Sequence, residues 1–129
     1  MSPLNELRDS IHKNAVEHGF YDEEQKPHSE AVHHAFTAQK IALIHSELSE
    51  ALEADRKNKH AYNHANADDA QSYCEWFSRT IKDTFEDELA DALIRILDLC
   101  GAMNIDIDML VEMKMKYNEF RPRKHGKEY

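Results

Sequence analysis

The sequence is poor in residues that punctuate or staple a chain. Only three glycines and three prolines occur in 129 residues, too few for a fold built on strands and tight turns. The two cysteines, Cys74 and Cys100, supply no disulfide framework, so a reducing compartment is the expectation. No apolar run approaches the length of a membrane span, and no N-terminal stretch reads as a signal peptide. The expected setting is the cytoplasm, with no membrane partner. Positive charge is scarce too: 16 Lys and Arg against 25 Asp and Glu give a formal net charge of −9. Such a chain repels nucleic acid polymers and anionic membranes, and suits metal cations or substrates that arrive with them.

What is abundant is Ala, Leu, Glu and Lys, which favour helices. The length fits one compact domain over residues 1–129, and no internal repeat is visible. Ser2-Pro3 predicts a helix start, followed by Leu4, Leu7, Ile11 and Ala15 at helical spacing, with Gly19 as a stop. "FYDEEQKPHSE" reads as a loop. A second helix is predicted from Glu30 to Arg56. Residues 57–81 form an extended connection in which "QSYCEWFSRTI" can add a short helix. The next strong helix covers Lys82 to Met103. Asp106 can cap a last helix over Ile107 to Phe120, and Pro122 stops it ahead of a basic tail at 121–129. The expected fold is all-α, an antiparallel bundle of four main helices that assembles into oligomers.

Two of these helices carry carboxylates where apolar residues are expected. On a wheel of about 100° per residue, Glu47 lies inside the arc formed by Ile41, Ile44, Leu48, Ala51 and Leu52. Glu50 lies at its edge, whereas Glu53 points to the polar side. In "FEDELADALIRILDLC", Glu88, Asp91, Arg95, Asp98 and Asp87 form a narrow polar stripe flanked by apolar positions. Spacing alone means nothing here. About five acidic i,i+3 pairs are expected by chance in so acidic a chain, and five occur: Glu6/Asp9, Glu47/Glu50, Glu50/Glu53, Asp83/Glu86 and Glu88/Asp91. Wheel position singles out Glu47/Glu50 and Glu88/Asp91.

Burying four carboxylates costs several kcal/mol each unless protons, cationic side chains or metal ions compensate. Two i,i+3 pairs on packed helices can converge on one or two cations. All four ligands are oxygens, which suits Mg²⁺, or Mn²⁺, over zinc.

"ELSEALEA" (Glu47, Glu50) and "DELADALIRIL" (Glu88, Asp91) resemble the ExxE and ExxD motifs of the MazG-like all-α nucleoside triphosphate pyrophosphohydrolases. The ending "KMKYNEFRPRKHGK" is similar to the tail of small members of that family. The resemblance covers residues 1–127 and is strongest over 40–56, 85–100 and 113–127. It implies Mg²⁺-dependent hydrolysis of a nucleoside triphosphate to the monophosphate and pyrophosphate, a homodimer or homotetramer, and a house-cleaning role in nucleotide pools. One departure is the gap of 37 residues between Glu50 and Glu88, longer than usual. It includes Trp76 and Phe77, which can pack in a core or interface or stack on a base.

On this reading Glu47, Glu50, Glu88 and Asp91 hold the metal, and Glu47 or Glu50 acts as the catalytic base toward water. Lys114, Asn118 and Arg121 recur at i, i+4 and i+7 on one helix face. With Lys124 they are the candidate phosphate-binding residues, an assignment drawn chiefly from the family-like tail. Arg95 can neutralise Asp91 as an i,i+4 pair, and Asp98 is a further ligand or Arg95's partner. His60/His64 have metal-ligand spacing but polar surroundings, which favour a solvated pair. Two other classes compete. A di-iron or di-manganese carboxylate bundle would need two Glu-x-x-His motifs, and Glu30-x-x-His33 alone is present. A non-enzymatic helical interaction protein would pair its polar stripe with basic residues of another subunit.

Overall fold

A computed structural model describes residues 3–61 and 69–122. The expected cap Ser2, the second histidine His64 and the tail cations Arg123, Lys124 and Lys127 lie outside the described residues. Among the described residues the protein is all helix and turn, with α1 at Pro3–Glu17, α2 at Glu30–Arg56, α3 at Tyr73–Thr80, α4 at Phe85–Ala102 and α5 at Ile107–Glu119. No strand occurs among the described residues, and no helix is long and apolar enough to cross a membrane. The chain divides into two compact units, one of Met1–Phe20 with Leu97–Tyr129 and one of Tyr21–Ile96.

In the first unit, helix ends cap one another across the sequence. The backbone N–H groups of Leu4 and Asn5 donate to the Asp108 carboxylate at 3.2 and 2.7 Å. In return the Asn5 side-chain oxygen accepts from Ile107 N at 3.0 Å. Free N–H groups at two helix starts are thereby satisfied by side chains of the opposite helix. Arg8 donates to the Ile105 carbonyl at 2.6 Å. His12 pairs with Asp98 at 2.9 Å, so Asp98 is engaged by a residue that helical spacing could not reveal. Gly101 allows this packing: a Cβ there would stand 2.6 Å from His12 Cβ.

Three helices end with the same left-handed device, in which the N–H of the residue after it bonds back five positions. Gly19 (φ 84°) closes α1 through Phe20 N to Ala15 O, Asn58 (φ 54°) closes α2 through Lys59 N to Ala54 O, and Asn104 (φ 52°) closes α4 through Ile105 N to Cys100 O. Asparagine tolerates this conformation better than most residues. That is how a chain with three glycines stops its helices.

In the second unit, Ser29 caps α2 by accepting from Val32 N at 3.2 Å, and Ser72 caps α3 by accepting from Glu75 N at 3.1 Å. Helix α4 starts three residues later than the sequence pattern suggests. Asp83 turns left-handed at φ 65°, and the wholly buried Thr84 takes over as cap, its hydroxyl accepting from Asp87 N at 3.2 Å.

The wheel located the buried carboxylates and the buried alanines Ala51 and Ala92, but not the exposure of the large aliphatic residues on the same arcs. On α2 the buried residues are Glu47, Ala51 and Ala54, while Ile41, Leu43, Leu48 and Leu52 stay exposed. On the second-unit part of α4, Glu88 and Ala92 are buried while Leu89, Leu93, Ile94 and Ile96 are exposed. Alanines bury where α2 and α4 carry their acids, and the large aliphatic residues of those stretches form an uncovered apolar surface.

Candidate functional site

Helices α2 and α4 bring three of the four predicted ligands together. One carboxylate oxygen each from Glu47, Glu88 and Asp91 lie within 4.8 Å of one another. Glu47 is 7% exposed and Glu88 5%. Glu50 is solvent-exposed and falls outside this trio, yet it is close enough to interact with both Glu47 and Glu88. It stands at the rim.

Arg95 Nε donates to Glu47 Oε1 at 2.8 Å. The pairing predicted within α4, Arg95 with Asp91, thus gives way to a hydrogen bond between helices. The preference follows from need: Glu47 is the more buried carboxylate and gains more from a neutralising partner. A guanidinium has reach enough to cross to it while its charge still offsets part of the rise in the Asp91 pKa.

The acids respond differently to this crowding. Burial pushes Glu88 up, the Glu47 and Glu50 carboxylates push it further, and its pKa reaches about 8. Burial opposes the charge on Glu47 as well, but hydrogen bonds from Arg95 and the Glu88 carboxyl outweigh it and hold Glu47 below the usual range. Asp91 is raised by burial and then by the charges of Asp87 and Glu47. Without added cations the cluster therefore holds a proton on Glu88 and a charge on Glu47, the usual outcome when two carboxylates share a site.

Glu88 Oε2 is shielded from solvent and has no hydrogen-bond partner. A buried carboxylate oxygen left this way is costly, and a hard divalent cation is a chemically suitable partner. An all-oxygen donor set of this charge fits Mg²⁺ or Mn²⁺. A second group shares Glu88, whose oxygen lies within 4.8 Å of oxygens of Asp83 and Asp87. Sequence reading missed it, because Asp83 belongs to the junction ahead of α4 and only its left-handed turn sets its position.

The candidate phosphate-binding residues lie on α5 and just beyond it. Lys114 Nζ and the Arg121 guanidinium sit 5.0 and 5.7 Å from the Tyr117 ring centroid, and Arg121 N donates to Asn118 O at 3.2 Å. Lys114 and Arg121 thus flank the same Tyr117 ring. Lys124 lies outside the described residues. On α3, the Tyr73 ring lies tilted against Trp76 and Phe77 at 5.5 and 6.3 Å between centroids, with Tyr73 and Trp76 exposed.

His60 was expected to be solvated. Instead it is clamped, with Nδ1 2.9 Å from Glu86 and Nε2 2.9 Å from Asp55. Glu86 also accepts from Ala61 N at 2.7 Å, and Phe85 N donates to Lys59 O at 2.8 Å. Together these bonds tie the exit of α2 to the entry of α4, the two helices that carry the acids. In comparisons with known proteins, no family description matches the chain, and no curated protein and no solved structure matches it significantly.

Proposed function

We propose that the protein is a Mg²⁺-dependent hydrolase of nucleoside triphosphates, of the MazG-like kind, releasing nucleoside monophosphate and pyrophosphate. The observation that carries this reading is the convergence of Glu47, Glu88 and Asp91, with a buried and unpartnered oxygen on Glu88. The motif resemblance supplies the substrate class. Both acidic groups among the described residues consist of carboxylates only, which favours Mg²⁺ or Mn²⁺ over the histidine-containing di-iron sets.

Glu47, Glu88 and Asp91 would hold the cation, with Glu50 completing the set from the rim. When bound, Mg²⁺ offsets phosphate charge and acidifies water. Arg95 fixes the Glu47 carboxylate in place. That bond and the lowered pKa make Glu47 a poor proton acceptor, so Glu50 is the base assigned to the attacking water. The role of Lys114, Asn118, Arg121 and Lys124 toward phosphate oxygens rests on the resemblance of the tail. The uncovered aliphatic residues of α2 and α4 support a homodimer or homotetramer in which another copy covers them.

The test is a Mg²⁺-supported screen of canonical and modified nucleoside triphosphates that reads both pyrophosphate and orthophosphate. Pyrophosphate release lost in Glu50→Gln and Asp91→Asn, with helicity retained, supports the reading. Orthophosphate without pyrophosphate, or no hydrolysis of any triphosphate, overturns it.

A further inference from the structure

We propose that Arg95 grips the substrate: its guanidinium, anchored on Glu47, binds a phosphate oxygen of the nucleotide. This rests on the triphosphate reading given above and adds to it the residue that meets the substrate's charge beside the acids.

Arg95 is a cation pinned at one edge and open at the other. A guanidinium carries five N–H donors in a rigid planar fork. Arg95 uses one of them, Nε–H, on Glu47 Oε1 at 2.8 Å, and this is its one hydrogen bond among the described residues. The N–H groups of Nη1 and Nη2 have no partner there. The Arg95 side chain is 41% exposed, whereas that of Glu47 is 10% exposed, so water and solutes reach the donors that Glu47 leaves over. A lysine would serve to neutralise Glu47. A fork with an open edge suits a second oxyanion. Because Glu47 already fixes the guanidinium, little further freedom is lost when that anion binds.

Placement favours phosphate over other anions. Arg95 follows Asp91 by one turn of α4, and its charge acts on the Asp91 carboxylate as well. The fork therefore lies beside two of the three residues whose oxygens converge. A simple anion is repelled by these acids and by Glu50 at the rim. An anion that shares a divalent cation with the carboxylates is tolerated, and nucleotide phosphates are anions of that kind. Lys114 and Arg121 belong to the other compact unit, whereas Arg95 shares both a unit and a hydrogen bond with the acids.

The test separates metal from phosphate. The metal-free full chain is titrated with Mn²⁺ alone, followed by electron paramagnetic resonance, and then with inorganic tripolyphosphate at saturating Mg²⁺, followed by calorimetry. Arg95→Lys keeps a cation and a donor for Glu47 but removes the fork, and Arg95→Gln removes the charge as well. Circular dichroism checks both folds. Mn²⁺ affinity should stay within about twofold of wild type in Arg95→Lys and be no weaker in Arg95→Gln, which lacks the competing positive charge. Tripolyphosphate should bind about tenfold more weakly to Arg95→Lys and about 100-fold more weakly to Arg95→Gln. Unchanged tripolyphosphate affinity in both variants overturns the proposal and leaves the metal site and the hydrolase reading standing. Mn²⁺ and tripolyphosphate affinities that fall in parallel also overturn it, because Arg95 then acts only through Glu47. A wild-type chain that does not bind tripolyphosphate, with or without Mn²⁺ binding, overturns the triphosphate reading together with the proposal.

Discussion

Replacing Glu88 by Gln removes the carboxyl that the cluster keeps protonated, while preserving its shape and a hydrogen-bond donor for Glu47. Glu88 titrates near 8 in the fold against an ordinary 4.5. Between those values the unfolded chain loses the proton and the folded chain keeps it, so wild-type stability falls as pH rises. The contribution is fully present below the unfolded value, and the loss levels off above about pH 8. The ceiling is about 1.4 kcal/mol per pH unit. Glu47 is coupled to Glu88 and shifts the opposite way, which reduces the net effect to about 1–2 kcal/mol between pH 5 and 7. Glu88→Gln does not pay this cost, so its melting temperature relative to wild type climbs by about 4–8 °C over that range. The assay is thermal unfolding in EDTA at matched ionic strength, at half-unit pH intervals. On the proposed metal site, saturating Mg²⁺ is expected to reverse the order, because it stabilises only the chain that binds it. Parallel pH profiles of the two proteins in EDTA would refute the claim that Glu88 is held neutral by its surroundings.

Arg95→Ala leaves Glu47 buried without its guanidinium. With Arg95 itself partly exposed, a loss of about 1–2 kcal/mol is expected in urea denaturation without metal, and Mg²⁺ recovers part of it. His60→Gln tests the clamp at the helix entry. Hydrogen bonds to Asp55 and Glu86 raise the His60 pKa, so its ionic contribution is complete below the unfolded value near 6.5 and fades as pH climbs through the higher folded value. The stability gap between His60→Gln and wild type should therefore be wider at pH 6 than at pH 9 in urea melts. Gly101→Ala improves helix propensity by about 1 kcal/mol. It also places a Cβ 2.6 Å from His12 Cβ, and overpacking of about 1–3 kcal/mol makes the net change a loss, seen as a lower melting temperature.

Local rules made much of this fold legible. Asp106 announced its helix, and α2 spans Glu30–Arg56 as its pattern implies. The wheel also singled out Glu47 and Glu88 as buried acids, because periodicity reports the face of a helix directly. It does not report the partner of that face. Ala51, Ala54 and Ala92 are buried while Leu48, Leu52 and Leu93 are exposed, a choice set by tertiary packing. The stops at Asn58 and Asn104 carried a weaker signal than glycine would. The Arg95–Glu47 bond spans 48 residues, His60–Glu86 spans 26 and His12–Asp98 spans 86. Such pairings arise from the folded path of the chain and leave no trace in local spacing.

The mutual capping of α1 and α5 has a consequence for biosynthesis. Asn5 and Ile107 are 102 residues apart, so the bond between them must wait until α5 has left the ribosome. The stretch from Tyr21 to Ile96 is translated in full before that moment, and its acids can assemble while the amino-terminal helix still lacks its clasp. Closing so long a loop costs entropy that grows only slowly with its length, so what governs the timing is the order of synthesis.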